Sequence, residues 1–171
     1  MKTRAELGDL LRTRKAVRGV EIGVNLGEFA ASILSRSCLR SLLLVDPWAG
    51  HRGGDGDEAL AQCKLVMEPF GQRVSYLRQT SPAAAEHVCD GSVEWIYLDG
   101  SHTYTDVTAD LGAWWPKLKR GGVYAGHDYC ARHAHYGVIQ AVDEFAAAHT
   151  ANFELHIIQD GHWPTWWGLK T

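Results

Sequence analysis

The sequence of 171 residues has few cysteines, little proline, no long apolar run and no strong excess of either charge. The four cysteines form neither a C-x-x-C pair nor a zinc-type spacing, which argues against a disulfide framework and against a structural zinc site. A formal net charge of −3 creates no positive field that would attract a phosphate backbone, so we expect no nucleic-acid partner. The basic stretch from Met1 to Lys15 lacks the apolar run of a secretory signal or membrane span, so we expect a cytoplasmic protein without a membrane partner.

Short runs of Val, Ile, Leu and Tyr alternate with longer segments of helical spacing, and this alternation is typical of βαβ units. The chain length predicts one domain over residues 1–171. We predict strands at Val17–Ile22, Ser41–Val45, Val74–Leu77, Val93–Leu98, Gly122–Ala125, Phe153–Ile158 and Thr165–Leu169. We predict helices at Thr3–Arg14, from about Leu26, and at Glu58–Met67, Pro82–His87, Thr103–Leu118 and Gly137–His149. The apolar stripe of helix Thr103–Leu118 leaves Asp106 and Asp110 facing water.

The last two predicted strands are separated by too few residues for a crossover helix, so they should form an antiparallel hairpin. The other strands are joined by helices and should be parallel. The sequence therefore predicts an α/β fold with a doubly wound, mostly parallel seven-stranded sheet that ends in an antiparallel hairpin. This arrangement differs from the six-stranded dinucleotide-binding fold.

A glycine-containing turn follows the first strand, where ligands of open α/β sheets bind. Gly23 and Gly27 allow the backbone to approach a ligand closely, although a plain strand-to-helix turn would use the same glycines. Asp46 ends the second strand, where a carboxylate can accept both hydroxyls of a ribose. Together these residues favour a cofactor that contains adenosine, and we assign Asn25, inside the turn, to the same site.

Glu21, just before the turn, distinguishes two such cofactors. A nicotinamide dinucleotide would place its pyrophosphate at this turn, where a carboxylate would repel it. The cationic amine and sulfonium of S-adenosylmethionine suit the same carboxylate. Trp48, two residues after Asp46, lies either against the adenine or in the core.

Polar residues also follow the fourth and fifth strands. Asp99 ends the fourth strand, and His127 and Asp128 follow the fifth, so all three should meet at one edge of the sheet. Carboxylate and imidazole groups placed together can bind a divalent metal. Asp99 could equally cap the helix that begins at Thr103.

Three segments that carry these residues, 93–104, 110–129 and 137–145, resemble the class I S-adenosylmethionine-dependent methyltransferases. The resemblance is to the antibiotic-pathway O-methyltransferases of the macrocin, cephalosporin and mycinamicin type, and it extends from about Val20 to the end of the chain. It implies a bound S-adenosylmethionine, a small-molecule acceptor and, in several members, a magnesium ion. It also implies that Thr80 and Ser81 contact the adenine, although Ser81 could simply cap the helix that follows.

Carried over position by position, the resemblance places Asp99, His127 and Asp128 on the metal positions, and His102 where some members have a catalytic base. Asp99 then has both a catalytic and a cofactor-binding role. His127 departs from the pattern, since metal-dependent members have a second acid there. An imidazole weakens a magnesium site, which prefers oxygen ligands, so either metal dependence is lost or manganese or zinc replaces magnesium.

These observations predict S-adenosylmethionine-dependent methylation of a small molecule, on oxygen, with or without a metal. Two alternatives stay open: a nicotinamide-dependent oxidoreductase, and a protein that binds the cofactor without turnover. Only the N-terminal helix, as a partial lid, and the loops His51–Asp57 and His133–Tyr136 are available to cover an acceptor. Either the acceptor is small and exposed, or a second subunit of a homodimer closes the site.

Overall fold

The computed structural model describes residues 1–49 and 55–171, so most of the predicted loop His51–Asp57 lies outside the described residues. The helices are α1 (Glu6–Thr13), α2 (Glu28–Arg36), α3 (Gly56–Met67), α4 (Ser81–Ala85), α5 (Tyr104–Trp114) and α6 (Val138–Ala148). The strands are β1 (Arg18–Ile22), β2 (Ser41–Val45), β3 (Val74–Leu77), β4 (Val93–Leu98), β5 (Leu118–Gly126), β6 (His156–Ile158) and β7 (Thr165–Leu169). Within residues 1–49 and 55–171, no helix has the length and apolar character needed to cross a membrane.

The seven strands form one sheet in the order β3-β2-β1-β4-β5-β7-β6. The first five strands are parallel, whereas β7 pairs antiparallel with both β5 and β6. The predicted seven-stranded sheet and its antiparallel hairpin are therefore confirmed. Strand order reverses between β1 and β4, and the carboxyl ends of these two strands define the usual ligand position in such a sheet.

Alternate side chains of each strand enter two apolar layers, one on each face of the sheet. In β4, Trp95 and Tyr97 pack toward α1, α2 and α3, while Ile96 and Leu98 pack toward α4, α5 and α6. Trp95 and Trp114 are fully buried, as expected of core residues. The helices on both faces thus cover β1 and β4 at the centre of the sheet.

Several predicted boundaries were wrong for identifiable reasons. Pro116 lacks the N–H that an α-helix needs, so α5 ends at Trp114 and residues Trp115–Lys117 form a 3₁₀ turn. Strand β5 begins at Leu118, four residues before the predicted start, because Leu118 pairs with Val93 across a bulge in the ladder. Strand β6 is shorter than predicted, and Phe153 contributes only an isolated bridge to Lys170.

Asp110 was predicted to face water, and this was wrong: it is 5% exposed. Asp110 lies three residues after Val107 and four before Trp114, so it belongs to the buried stripe of α5, and the prediction followed its polar character instead of its position. Ser81 at the start of α4 bonds to the Asp110 carboxyl. Burial raises the pKa of Asp110 to about 6, although the Ser81 bond opposes the rise. Asp106 is exposed as predicted.

Candidate functional site

A groove of about 590 Å³ lies across the carboxyl ends of the central strands. A volume of this size suits a cofactor-sized ligand. Nine of the residues predicted for the site line it: Gly23, Asn25, Asp46, Trp48, Thr80, Ser81, Asp99, His102 and Asp128. Glu21, Gly27 and His127 are not among the residues that line the groove.

The turn after β1 requires glycine because β1 and β4 approach each other there. Gly23 has a φ of 81°, and a Cβ atom at this position would lie 1.9 Å from the backbone oxygen of Asp99. Gly27 also has a positive φ, of 83°, and its Cβ would lie 3.0 Å from Cys63 Sγ. The turn therefore brings backbone without side chains to the groove, and it also packs closely against its surroundings. Both explanations of these glycines, close approach to a ligand and a plain strand-to-helix turn, are compatible with the structure.

Glu21 lies at the end of β1 with an unusual environment for a carboxyl group. It is 2% exposed, and its Oε2 atom has no hydrogen-bond partner within the described ranges 1–49 and 55–171. Burial and the nearby Asp99 raise the pKa of Glu21 well above its ordinary value, while Arg4 opposes the rise. A buried carboxyl without a partner is costly, and a cationic ligand group would reduce that cost.

Asp46 and Trp48 organise the neighbouring wall of the groove. The Asp46 carboxylate accepts N–H bonds from Asn25, at 3.0 Å, and from Trp48, at 2.7 Å. Each carboxylate oxygen keeps a further lone pair for a ligand. Trp48 is 2% exposed and its Nε1 donates to the carbonyl of Asn25. Of the two positions predicted for Trp48, the structure therefore shows the one in the core.

Thr80 and Ser81 end the groove on the α4 side, and the predicted helix cap at Ser81 was wrong. Thr80 occupies the capping position, whereas Ser81 is the first residue of α4. The Ser81 hydroxyl accepts a bond of 2.9 Å from Trp114 Nε1 and interacts with Asp110, so it bridges α4 to α5. The alternative role of Asp99 as a helix cap was also wrong, because the Thr103 side chain caps α5.

Asp99, His102 and Asp128 form the polar cluster at the other end of the groove. His102 Nε2 lies 2.5 Å from Asp128 Oδ2 and 4.0 Å from Asp99 Oδ1. Asp128 has a φ of 55°, so the backbone leaves the extended conformation directly after β5. One ligand atom from each of the three residues lies within 4.8 Å of the others.

His127 lies next to this cluster, between its two acids and Arg4. Its Nδ1 atom lies 3.7 Å from Asp99 Oδ1 and 3.5 Å from Asp128 Oδ1, while its Nε2 atom lies 3.2 Å from Arg4 Nη1. The structure thus groups His102, in place of His127, with the two acids as potential ligands. Sequence reasoning missed Arg4, which is distant in sequence and carried no signal beyond its charge.

The charges of this cluster perturb one another. Burial raises the pKa of Asp128, but bonds from His102 and His127 outweigh burial and hold the pKa well below its ordinary value. Burial also raises the pKa of Asp99, and the contacts with His127 only partly oppose that rise. Burial lowers the pKa of His127, whereas the contacts with Asp128 and Asp99 raise it above its ordinary value and Arg4 opposes them. A carboxylate with a lowered pKa beside imidazole groups, as Asp128 is here, is typical of sites that move protons.

The donor set of the cluster can be compared with what divalent metals prefer. Two carboxylates and one imidazole within 4.8 Å fit a borderline metal such as manganese or zinc better than magnesium, which favours oxygen ligands. Asp99, His102 and Asp128 would hold such an ion.

An aromatic group covers the outer side of His102. The Tyr136 ring stacks on the His102 ring at 4.8 Å with an interplanar angle of 7°. His133 lies 4.9 Å from Tyr136 and 6.1 Å from Trp163, between ring centroids. The carbonyl of His102 also accepts an N–H bond of 2.8 Å from Gly137. These contacts hold His102 in place beside the groove.

A family model described as a methyltransferase domain matches residues 20–129, which is more than half of the chain. The matched segment contains every residue predicted for the cofactor, the metal and the base. This chain belongs to that methyltransferase family. The match favours methyl transfer over the nicotinamide-dependent alternative. The family is broader than the antibiotic-pathway group, so that narrower resemblance is not established by the match.

Three individual proteins are similar to this chain in sequence or in fold. The chain is 31% identical, over 94% of its length, to an uncharacterized protein of Sinorhizobium fredii, y4gI, and spans only 18% of that protein. The fold is similar to an rRNA methylase from Streptococcus thermophilus, with a TM-score of 0.70, 13% identity, and coverage of 96% of this chain and 91% of the other. It is also similar to the O-methyltransferase TomG from Streptomyces achromogenes, determined with bound S-adenosylmethionine, with a TM-score of 0.67, 13% identity, and coverage of 98% and 79%. The fold of the methyltransferase is therefore the class I, Rossmann-like fold.

Proposed function

We propose that this methyltransferase transfers the methyl group of S-adenosylmethionine to a hydroxyl oxygen of a small-molecule acceptor. One observation carries the proposal: a single groove of about 590 Å³ joins Asp46, a ribose-type acceptor, to the paired His102 and Asp128. A cofactor bound at Asp46 would thereby lie in the same groove as the proton acceptor. The S-adenosylmethionine bound in the similar structure of TomG supports this choice of cofactor.

The charge of the groove favours this cofactor over a nicotinamide dinucleotide. Glu21 lies buried beneath the Gly23 turn, and Asp99 follows the adjacent strand. Burial raises the pKa of both carboxyl groups, so a cationic amine or sulfonium nearby would stabilise their ionised forms, whereas a pyrophosphate would oppose ionisation. Asp46 would accept the ribose hydroxyls through its remaining lone pairs.

The His102–Asp128 pair supplies the proton chemistry. Methyl transfer is an in-line displacement, so the acceptor oxygen must be held about 3 Å from the methyl carbon and must lose its proton. When Nε2–H of His102 is donated to Asp128, the lone pair on Nδ1 can take the acceptor proton. The Asp128 carboxylate then stabilises the imidazolium that forms. A divalent ion held by Asp99, His102 and Asp128 would instead supply a Lewis acid that lowers the pKa of the acceptor hydroxyl.

The charge of the protein and the residues beside His102 support a small-molecule acceptor over RNA. A net charge of −3 and an acidic groove disfavour a phosphate backbone as the acceptor. The aromatic residues beside His102 provide a compact surface on which a metabolite could lie. We further propose that the protein acts in the cytoplasm, either with an exposed acceptor or as a homodimer that closes the site.

Calorimetry with S-adenosylhomocysteine and NAD tests the cofactor. We expect S-adenosylhomocysteine to bind and NAD not to bind at concentrations up to about 1 mM. This concentration is the upper end of ordinary enzyme affinities, which range from roughly 1 μM to 1 mM. Asp46→Asn should weaken binding about 10-fold, because a hydrogen bond to a charged group is lost. Asp90→Asn, an exposed acid paired with Lys117, is the matched control and should bind normally. Binding of NAD alone would refute the proposal.

A further inference from the structure

Asp110, on α5, carries a buried carboxyl group that the proposed reaction does not use. It is 5% exposed, yet it lines the groove together with Ser81 and Gly100. Burial raises the pKa of Asp110 to about 6, while the Ser81 bond opposes the rise, so the carboxyl is ionised at pH 8. An ionised carboxyl enclosed by protein needs hydrogen-bond donors, because burial removes the water that would otherwise solvate it.

Ser81, the first residue of α4, supplies one donor, and its direction is fixed by Trp114. The indole Nε1 of Trp114 carries a proton and no lone pair, so it can only donate, and it donates to Ser81 Oγ at 2.9 Å. The hydroxyl proton of Ser81 is therefore available for the Asp110 carboxyl. Among the described residues, Ser81 is the one donor that bonds to this carboxyl, whereas a carboxylate can accept about four hydrogen bonds.

Gly100 leaves space for a second donor beside Asp110. A Cβ atom at position 100 would lie 3.7 Å from Asp110 Oδ2, so any side chain there would begin in contact with this oxygen. The glycine leaves that space open, and both residues line the groove. A ligand in the groove can therefore reach an acceptor that the protein itself leaves partly unused.

The position along the groove indicates which part of the cofactor would lie beside Asp110. Asp46, the proposed ribose acceptor, adjoins the turn after β3, because the Gln79 N–H donates to the Asp46 carbonyl at 3.2 Å. Ser81 follows Gln79 by two residues and bonds to Asp110. A base attached to a ribose at Asp46 would therefore meet Ser81 and Asp110, while the sulfonium would point the other way, toward His102.

We propose that Asp110 is a cofactor-binding residue that selects adenine by accepting a hydrogen bond from the 6-amino group of the base. This amino group is the hydrogen-bond donor of the adenine ring, whereas the ring nitrogens offer lone pairs that a carboxylate would repel. The inference rests on the proposed function for the identity of the cofactor. It extends the cofactor site from the ends of the strands to α5.

Calorimetry at pH 8 tests the inference with S-adenosylhomocysteine and its 6-deamino analogue, in which hydrogen replaces the amino group. We expect the wild type to bind S-adenosylhomocysteine about 30-fold more tightly than the analogue, the ratio typical of a hydrogen bond to a charged group. In Asp110→Ala the ratio should fall below about 3-fold, because the acceptor is gone. In Asp110→Asn it should be about 5-fold, because the amide oxygen still accepts a weaker, neutral hydrogen bond.

The ratio of the two affinities separates recognition of the amino group from a structural role of Asp110. A shift of α5, or loss of the Ser81 bond, would weaken both ligands alike and leave the ratio at the wild-type value. Asp90→Asn is the matched control, because Asp90 is an exposed acid that pairs with Lys117 and does not line the groove. It should also leave the ratio unchanged.

An equal ratio in the wild type and in a folded Asp110→Ala variant would overturn the inference and leave the proposed cofactor intact. If that variant does not fold, Asp110→Asn decides the matter, since an unchanged ratio there has the same meaning. A wild type that binds neither compound would refute the proposed cofactor and this inference together. An Asp110-dependent ratio in a protein that transfers no methyl group would uphold the inference and refute the proposed reaction.

Discussion

Replacing the buried Asp110 by asparagine should stabilise the protein, and more so at high pH. The folded state raises the pKa of Asp110 from 3.8 to about 6, so ionisation is harder in the folded than in the unfolded chain. A raised carboxyl pKa contributes stability below pH 3.8 and loses it as the pH rises through about 6. At 1.36 kcal/mol per pH unit, the full loss is about 3 kcal/mol.

Asparagine cannot ionise, so the Asp110→Asn variant avoids this loss. The gain in the free energy of unfolding should be about 3 kcal/mol at pH 8 and roughly half of that at pH 5, where the folded wild type holds most of its proton. The difference of about 1.4 kcal/mol between the two pH values is the firmer quantity, because any change in the Ser81 bond affects both alike.

Urea unfolding of both proteins at pH 5 and pH 8 measures these free energies. Asp106→Asn on the same helix is the contrasting control. Bonds from Ser101 and Thr103 lower the pKa of Asp106, so it contributes stability above its unfolded pKa that is lost as the pH falls. That substitution should therefore destabilise the protein at pH 8. If wild type and Asp110→Asn showed the same pH dependence, the reasoning from burial would be refuted.

Two further substitutions test the site and the turn. His102→Ala should lower kcat by about 100-fold with S-adenosylhomocysteine affinity nearly unchanged, measured by transfer of a labelled methyl group and by calorimetry. His87→Ala, at an exposed position that does not line the groove, should change neither quantity, and normal turnover in His102→Ala would remove His102 from the mechanism. Gly23→Ala should cost more than about 2 kcal/mol in urea unfolding, since its Cβ would meet the Asp99 carbonyl at 1.9 Å. Gly112→Ala, at an exposed position of α5 where a Cβ would have nothing within 4 Å, should instead raise the free energy of unfolding by about 0.5–1 kcal/mol; equal losses at the two positions would contradict the packing argument.

The order of strands and helices, the closing hairpin and the edge of the sheet that holds the site followed from the sequence alone. Side-chain periods of 2 and 3.6 residues record which face of each element is buried, and a short connection between β6 and β7 leaves room only for an antiparallel hairpin. Parallel neighbouring strands must also end at the same edge. Asp46, Asp99 and Asp128 could therefore be assigned to one region without a structure.

Tertiary structure alone decided which of these side chains touch. Asp110 lies on the buried stripe of α5, but only the structure shows that the Ser81 hydroxyl, at the start of α4, bonds to its carboxyl there. The positive φ of Asp128 breaks the alternation of β5, so this acid meets His102 and leaves His127 to Arg4, 123 residues away. Such contacts depend on the packing of whole elements, and no local pattern of residues encodes them.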